Sequence, residues 1–206
     1  MTGVGSYLPK NKYSNEDLTK FIDTSDGWIT KRSGIKFRHF VSKNETTSDM
    51  AVNAALNAII NAQIKKEVID LIIVATTTPD NTFPATATLV QKKLGINSVS
   101  FDVQAVCAGF VFALSVAKSM MKDNHYSNCL VIGADSMSKL LNWNDRTTSV
   151  LFGDGAGAVI LQKFENIDKK LNDWGILSNV IHSDGNLYDL LNCLLYTSPS
   201  PRDSGQ

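Results

Sequence analysis

Three cysteines in 206 residues, at positions 107, 129 and 193, are too few and too unevenly spaced for a disulfide framework or a metal-ligand set. Net charge is missing as well. Twenty Lys and Arg cancel twenty Asp and Glu, so no global field draws the chain to nucleic acid or to an anionic membrane. Any anion it binds must meet a local cluster. Long apolar runs are also absent, and the longest strongly apolar stretch, Leu71 to Ala75, is far too short to span a bilayer. The opening MTGVGSYLPK has no charged leader followed by an apolar run, so it does not read as a signal peptide. These absences lead to the expectation of a cytoplasmic, reduced protein without a metal site. What is present, 43% hydrophobic and 19% charged residues, is ordinary for a globular chain with a real core.

Element signals run the length of the chain. Gly3 to Tyr7 reads as a strand. Ser14 with Asp17 three residues later is a capping-box variant opening a short helix to about Ile22. Ser25 caps a second short helix, Asp26 suits its positive end, and Gly34 closes it in the left-handed region. A longer helix starts at Thr47 or Ser48. Its stripe of Met50, Ala51, Ala54, Ala55, Ala58 and Ile59 is mostly small, which lets it lie close against a sheet. Ile69 to Thr77 has the β-branched run of a strand buried on both faces. A loop with Pro79 and Pro84 leads to a helix ending before Gly95, then a strand from Val99 to Ala105 and a helix from about Cys107 to Lys122. Cys129 to Ala134 is the next strand. The Gly-Asp-Gly-Ala-Gly stretch reads as a turn before a strand from Ala156 to Gln162. Alternating strands and helices predict an α/β fold with a mixed, mainly parallel sheet. From Cys193 the stretch CLLYTSPSPRDSGQ has no periodicity. It is expected to be a non-native tail resembling a translated sequencing adapter, with the natural sequence interrupted near Asn192.

Two places carry chemistry. Cys107 stands where a strand hands over to a helix through Cys-Ala-Gly, a junction that exposes a thiol to helix N-terminal amides. A helix terminus contributes roughly 0.3–1 kcal/mol against about 1.4 kcal/mol per pKa unit, so the dipole alone moves a thiol by about a unit or less. A useful thiolate fraction then needs a second group. Taken alone, a cysteine there is equally a small buried hydrophobe, as Cys129 is expected to be. The second place is the run Lys31, Arg32, Lys36 and Arg38, which contains no acid. Trp28 lies four residues before Arg32, on the same helix face, so an indole and a guanidinium could hold a nucleobase and a phosphate. A solvated basic turn beside a core Trp fits the same residues. GDGAGA is not a dinucleotide fingerprint, because a strand and not a helix follows it.

FDVQAVCAGFVFAL closely resembles the active-site segment of β-ketoacyl-acyl-carrier-protein synthase III, a thiolase-fold condensing enzyme. GSYLP, DTSDGWITKRSGI, DNTFPATA, VIGAD and LFGDGAGAVIL are similar to the family's segments in the family's order, so the resemblance covers residues 3 to 192. It implies a first thiolase-like repeat over 1–165, the beginning of a second over 166–192, and the tail 193–206 outside both. It implies that Cys107 accepts an acyl group from acyl-CoA, that Trp28, Arg32 and Arg146 hold the adenine end of coenzyme A, and that Phe152 lines the acyl pocket. Phe83 matches a residue that crosses a dimer interface. Malonyl-acyl-carrier protein is the implied second substrate, with no metal or redox cofactor and a homodimeric assembly. None of His39, His125 and His182 matches the family's catalytic histidine; that histidine and its companion Asn are expected beyond the matched stretch, so this chain alone is expected to be inactive in condensation and poorly soluble. Two alternatives are an acyl-transferring paralogue of secondary metabolism and a non-catalytic acyl-CoA- or carrier-protein-binding fragment.

Overall fold

The computed structural model describes residues 1–123, 125–164 and 175–190. In chain order its first elements are β1 (Gly3–Tyr7), β2 (Asn11–Ser14), α1 (Asn15–Leu18), α2 (Asp26–Ser33) and β3 (Phe37–Phe40). Then follow α3 (Thr47–Ala62), β4 (Leu71–Ala75), α4 (Thr86–Leu94), β5 (Val99–Val103) and α5 (Gly109–Met120). The last are β6 (Asn128–Ser136), α6 (Arg146–Ser149) and β7 (Asp154–Gln162).

Caps set the helix boundaries. The Ser14 hydroxyl accepts from the Asp17 amide while Asp17 reaches back to the Ser14 amide, the reciprocal box expected there. Thr46 and Asp49 form a second such box at the head of α3, which starts at Thr47 as expected. Ser25 caps α2, and Gly34 and Gly95 end α2 and α4 at φ of 72° and 65°. Each side-chain cap contributes about 1 kcal/mol.

The main sheet has the order β1-β7-β6-β4-β5. β4 pairs parallel with β5 and β6, whereas β7 runs antiparallel to both β6 and β1. Four strands therefore share a direction and β7 opposes them, as a mixed, mainly parallel sheet requires. Every residue of β4 is buried, because helices cover both of its faces. On one face α3 and α4 pack on Ile72, Val74, Leu130, Ile132 and Ile160. On the other, Ala113 and Ala117 of α5 meet Leu71, Ile73, Val131 and Val159. The small stripe of α3 does what its composition predicts. A Cβ at Gly5 would stand 2.2 Å from the Ala54 carbonyl oxygen, so β1 and α3 touch backbone to backbone.

Three expectations are corrected. β2 and β3 form a separate antiparallel pair that the sequence did not announce, with Asn11 opposite Phe40. α5 begins at Gly109, after a tight 3₁₀ turn over Val106–Ala108 that contains Cys107. The glycine-rich stretch is mostly strand: β7 starts at Asp154, whose buried carboxylate ties the Val41 amide to the Ser138 amide. The expected boundary at 165/166 and the tail 193–206, with Cys193, lie outside the described residues.

Candidate active site

The nucleophile junction is made by backbone. β5 delivers the chain to Gln104, and Val106 then turns at φ 47°, a left-handed conformation that a β-branched residue adopts only under strain. That reversal leaves Cys107 exposed as a free thiol directly before α5. The helix head is pressed onto the sheet. A Cβ at Gly109 would lie 3.4 Å from Ala75 Cβ, and one at Gly133 3.2 Å from Phe110 Cδ2. Beneath the junction, Asp135 Oδ1 at the end of β6 accepts from the Thr77 amide at 2.8 Å and from the hydroxyls of Thr76 and Thr78 at 3.2 and 3.1 Å. Thr77 Oγ1 in turn accepts from Gln104 Nε2 at 3.2 Å. One carboxylate thus ties the loop after β4 to the segment carrying Cys107. Sequence reading missed Asp135 as a support, although VIGAD contains it.

Cys129 is the contrast. It lies wholly buried in β6, and burial, reinforced by the Asp70 carboxylate, pushes its thiol far up from the ordinary range. It is a packing residue, as expected.

The second constellation is made by side chains. Trp28 and Arg32, one turn apart on α2, stack with the guanidinium 4.3 Å from the ring centroid. Arg146, 118 positions further along the chain and first in α6, brings its guanidinium to 5.3 Å from the same ring. It is held there by a 3.0 Å bond from Nη1 to the Asp23 carbonyl and a 3.6 Å approach to the Asp23 carboxylate. A cleft of about 380 Å³, lined by Phe21, Asp23, Trp143, Asp145 and Arg146, shares Arg146 with this stack. The Thr24 hydroxyl, in the loop before α2, is buried with no hydrogen-bond partner among the described residues. Neither Thr24 nor Trp143 carried a sequence signal.

Arg38 leaves the expected basic cluster. Strand alternation turns it inward, to 5% exposure, while Lys31, Arg32 and Lys36 stay at the surface. Phe83 is 84% exposed, and Phe152 is half-buried between α6 and β7. His39 lies in β3 with Nδ1 against the Pro9 carbonyl; His125 and His182 are exposed. Among the described residues no cluster of three His, Cys, Asp or Glu side chains could hold a metal, and no helix is long and apolar enough to cross a membrane.

The family model described as 3-oxoacyl-[acyl-carrier-protein (ACP)] synthase III matches residues 101–185, which include the nucleophile junction and α6. A β-ketoacyl-[acyl-carrier-protein] synthase III from Ehrlichia canis is 56% identical over 197 residues, spanning 95% of this chain and 59% of the relative. Over 95% of its length the chain is thus similar to a β-ketoacyl-acyl-carrier-protein synthase III. A second such synthase, from Paramagnetospirillum magneticum, is 55% identical over 190 residues, 92% of this chain and 58% of its own length. The crystal structure of the 3-oxoacyl-[acyl-carrier-protein] synthase III from Aquifex aeolicus superposes with a TM-score of 0.75 at 49% identity, covering 80% of this chain and 54% of that one. The fold is accordingly thiolase-like, and the chain spans less than two thirds of the length of these relatives.

Proposed function

We propose that Cys107 is the acyl-accepting nucleophile of an initiating ketoacyl synthase of type II fatty-acid synthesis. The observation that carries this reading is the exposed thiol at the head of α5, set there by the strained Val106 turn within the segment the family model matches. In the first stage the Cys107 thiolate attacks the carbonyl carbon of acyl-CoA. The tetrahedral oxyanion forms next to the N-terminal amides of α5, which favour negative charge. Collapse breaks the carbon–sulfur bond to coenzyme A, which leaves as its thiolate, and the acyl group remains on Sγ. In the second stage malonyl-acyl-carrier protein loses carbon dioxide. The resulting enolate carbon attacks the acyl carbon and Cys107 departs as thiolate. That stage needs donors for the enolate, supplied in the family reading by a histidine and an asparagine; His39, His125 and His182 do not take that part.

The Trp28 stack supports the coenzyme A assignment, since an aromatic face with two guanidiniums suits a purine carrying phosphates. The large exposure of Phe83 supports a homodimer in which it reaches a partner, and the half-buried Phe152 is read as part of the acyl pocket. The reaction so read takes place in the cytoplasm and uses acyl-CoA as substrate, with no metal or redox cofactor.

The test is incubation of the folded chain with acetyl-CoA, followed by peptide mass spectrometry. One acetyl group is expected on the peptide containing Cys107 and none on that containing Cys129; iodoacetamide should show the same preference by at least about 10², because only a thiolate reacts and Cys129 is held protonated. A chain that keeps its melting transition but leaves Cys107 unacetylated and unalkylated would be a non-catalytic acyl-CoA-binding protein.

A further inference from the structure

The groups that meet at Trp28, beside the cleft lined by Arg146, come from distant parts of the chain, and one buried pair joins them. Asn15, only 1% exposed, grips α2 at three levels. Its amide Nδ2 is 2.8 Å from Asp26 Oδ1 at the helix start, 3.3 Å from Thr30 Oγ1 in the middle and 2.7 Å from the Ile35 carbonyl beyond the end. Its Oδ1 accepts from Arg38 Nη1 at 3.0 Å. Arg38 Nη2 then donates to the Val150 carbonyl at 2.9 Å, and Val150 is the C-cap of the short helix that begins with Arg146. Both side chains are buried, and among the described residues Arg38 has no carboxylate partner and its Nε has no hydrogen-bond partner.

A buried guanidinium held only by neutral acceptors is a poor way to gain stability, because desolvation opposes it. What its rigid fork does supply is a fixed separation between two acceptors. Here one acceptor is the Asn15 side chain of α1, which holds α2, and the other is the carbonyl of Val150, the C-cap of α6. A Cβ at Gly153 would lie 3.3 Å from Arg38 Cβ, so the strand start after α6 also closes directly on β3.

We propose that Asn15 and Arg38 are positioning residues for the cleft, setting the distance between Trp28 with Arg32 on α2 and Arg146 on α6. The inference rests on reading the cleft as the nucleotide subsite for coenzyme A. Neither residue touches the ligand; they act through the helices they tie together.

The test is isothermal titration of the full chain with coenzyme A, alongside the rate of Cys107 alkylation by iodoacetamide and the melting temperature. Arg38→Met keeps the stem and loses the fork, and should weaken coenzyme A binding about tenfold with the Cys107 rate unchanged. Arg38→Lys, which keeps the charge and cannot span both acceptors in the same way, should give an intermediate loss of about threefold. Trp28→Ala is the control and should weaken binding by about tenfold or more. If Trp28→Ala loses affinity while both Arg38 variants bind as the parent does, the positioning role is wrong and the cleft reading survives. If Trp28→Ala also binds normally, the cleft reading is wrong and the inference falls with it. Unfolding of both Arg38 variants, or an equal fall in Cys107 reactivity, would make the pair a general fold requirement and overturn the assignment.

Discussion

The nucleophile junction and the Trp28 cleft solve the placement of functional groups in opposite ways. At the junction the backbone does the placing: a positive φ at Val106, two close contacts at Gly109 and Gly133, and a carboxylate that ties down neighbouring loops. In the cleft, side chains on two separate helices converge on one indole, and buried polar bonds fix the interval between the helices. Backbone placement tolerates little and depends on strain held by its surroundings. Side-chain placement distributes its effect over several weak contacts, so each can be lost with a partial penalty.

Perturbations should therefore separate the two regions. Asp135→Ala removes the acceptor of three hydrogen bonds under the junction, and should cost about 3 kcal/mol in denaturant unfolding, since bonds to a charged acceptor are worth ~1.5–3 kcal/mol each and not additive. It should also slow alkylation of Cys107 in the folded state while leaving coenzyme A affinity within about twofold. A parallel fall in both would break the distinction. Arg32→Ala and Arg146→Ala should each lower coenzyme A affinity about threefold to tenfold, the scale of about 1 kcal/mol for an exposed cation over an aromatic ring. Cys107 alkylation should not change in either, and Arg32, nearer the ring, should show the greater loss. The smallest effect is expected for Val106→Gly. Glycine adopts φ 47° without steric cost but loses more entropy on folding, so the two terms nearly cancel and stability should shift by less than about 1 kcal/mol. The informative readout is acetyl transfer to Cys107, expected to fall as the turn loosens; an unchanged rate would mean that strain at Val106 does not aim the thiol.

Local signals in the sequence were read well where the physics is local. The Ser14–Asp17 box, the Ser25 cap, the glycines at 34 and 95 and the alanine stripe of α3 all concern residues within one or two turns of one another. The cysteine at its strand–helix handover and the four-residue spacing of Trp28 and Arg32 were equally legible. The pairing of NKYS with FRHF was not, because both strands are four residues long, mixed in polarity and separated by α1 and α2. For the same reason Arg38 looked like a surface cation: its burial follows from a strand that only tertiary pairing reveals. The approach of Arg146 to Trp28 came from family resemblance and not from spacing. The strained φ at Val106 and the reach of Asp135 to the loop after β4 had no composition signal at all.

The reversed direction of β7 sets the route of whatever follows it. β4, β5 and β6 all run toward the rim of the sheet where Cys107 stands, and β7 alone sets out from that rim, at Asp154 beside Ser136, and ends at Gln162 beside Asn128. Nine residues at about 3.3 Å each carry the chain about 30 Å away from the thiol. To contribute a lid or a wall over the nucleophile, later residues must make the return trip. The described segment 175–190 meets α5: Ile176 packs against the α5 face of the sheet, and Asn179 Nδ2 donates to the Val111 carbonyl in the first turn of α5, near the thiol's end. The rim that carries Cys107 thus receives three strands, releases one, and has a later segment held against its helix.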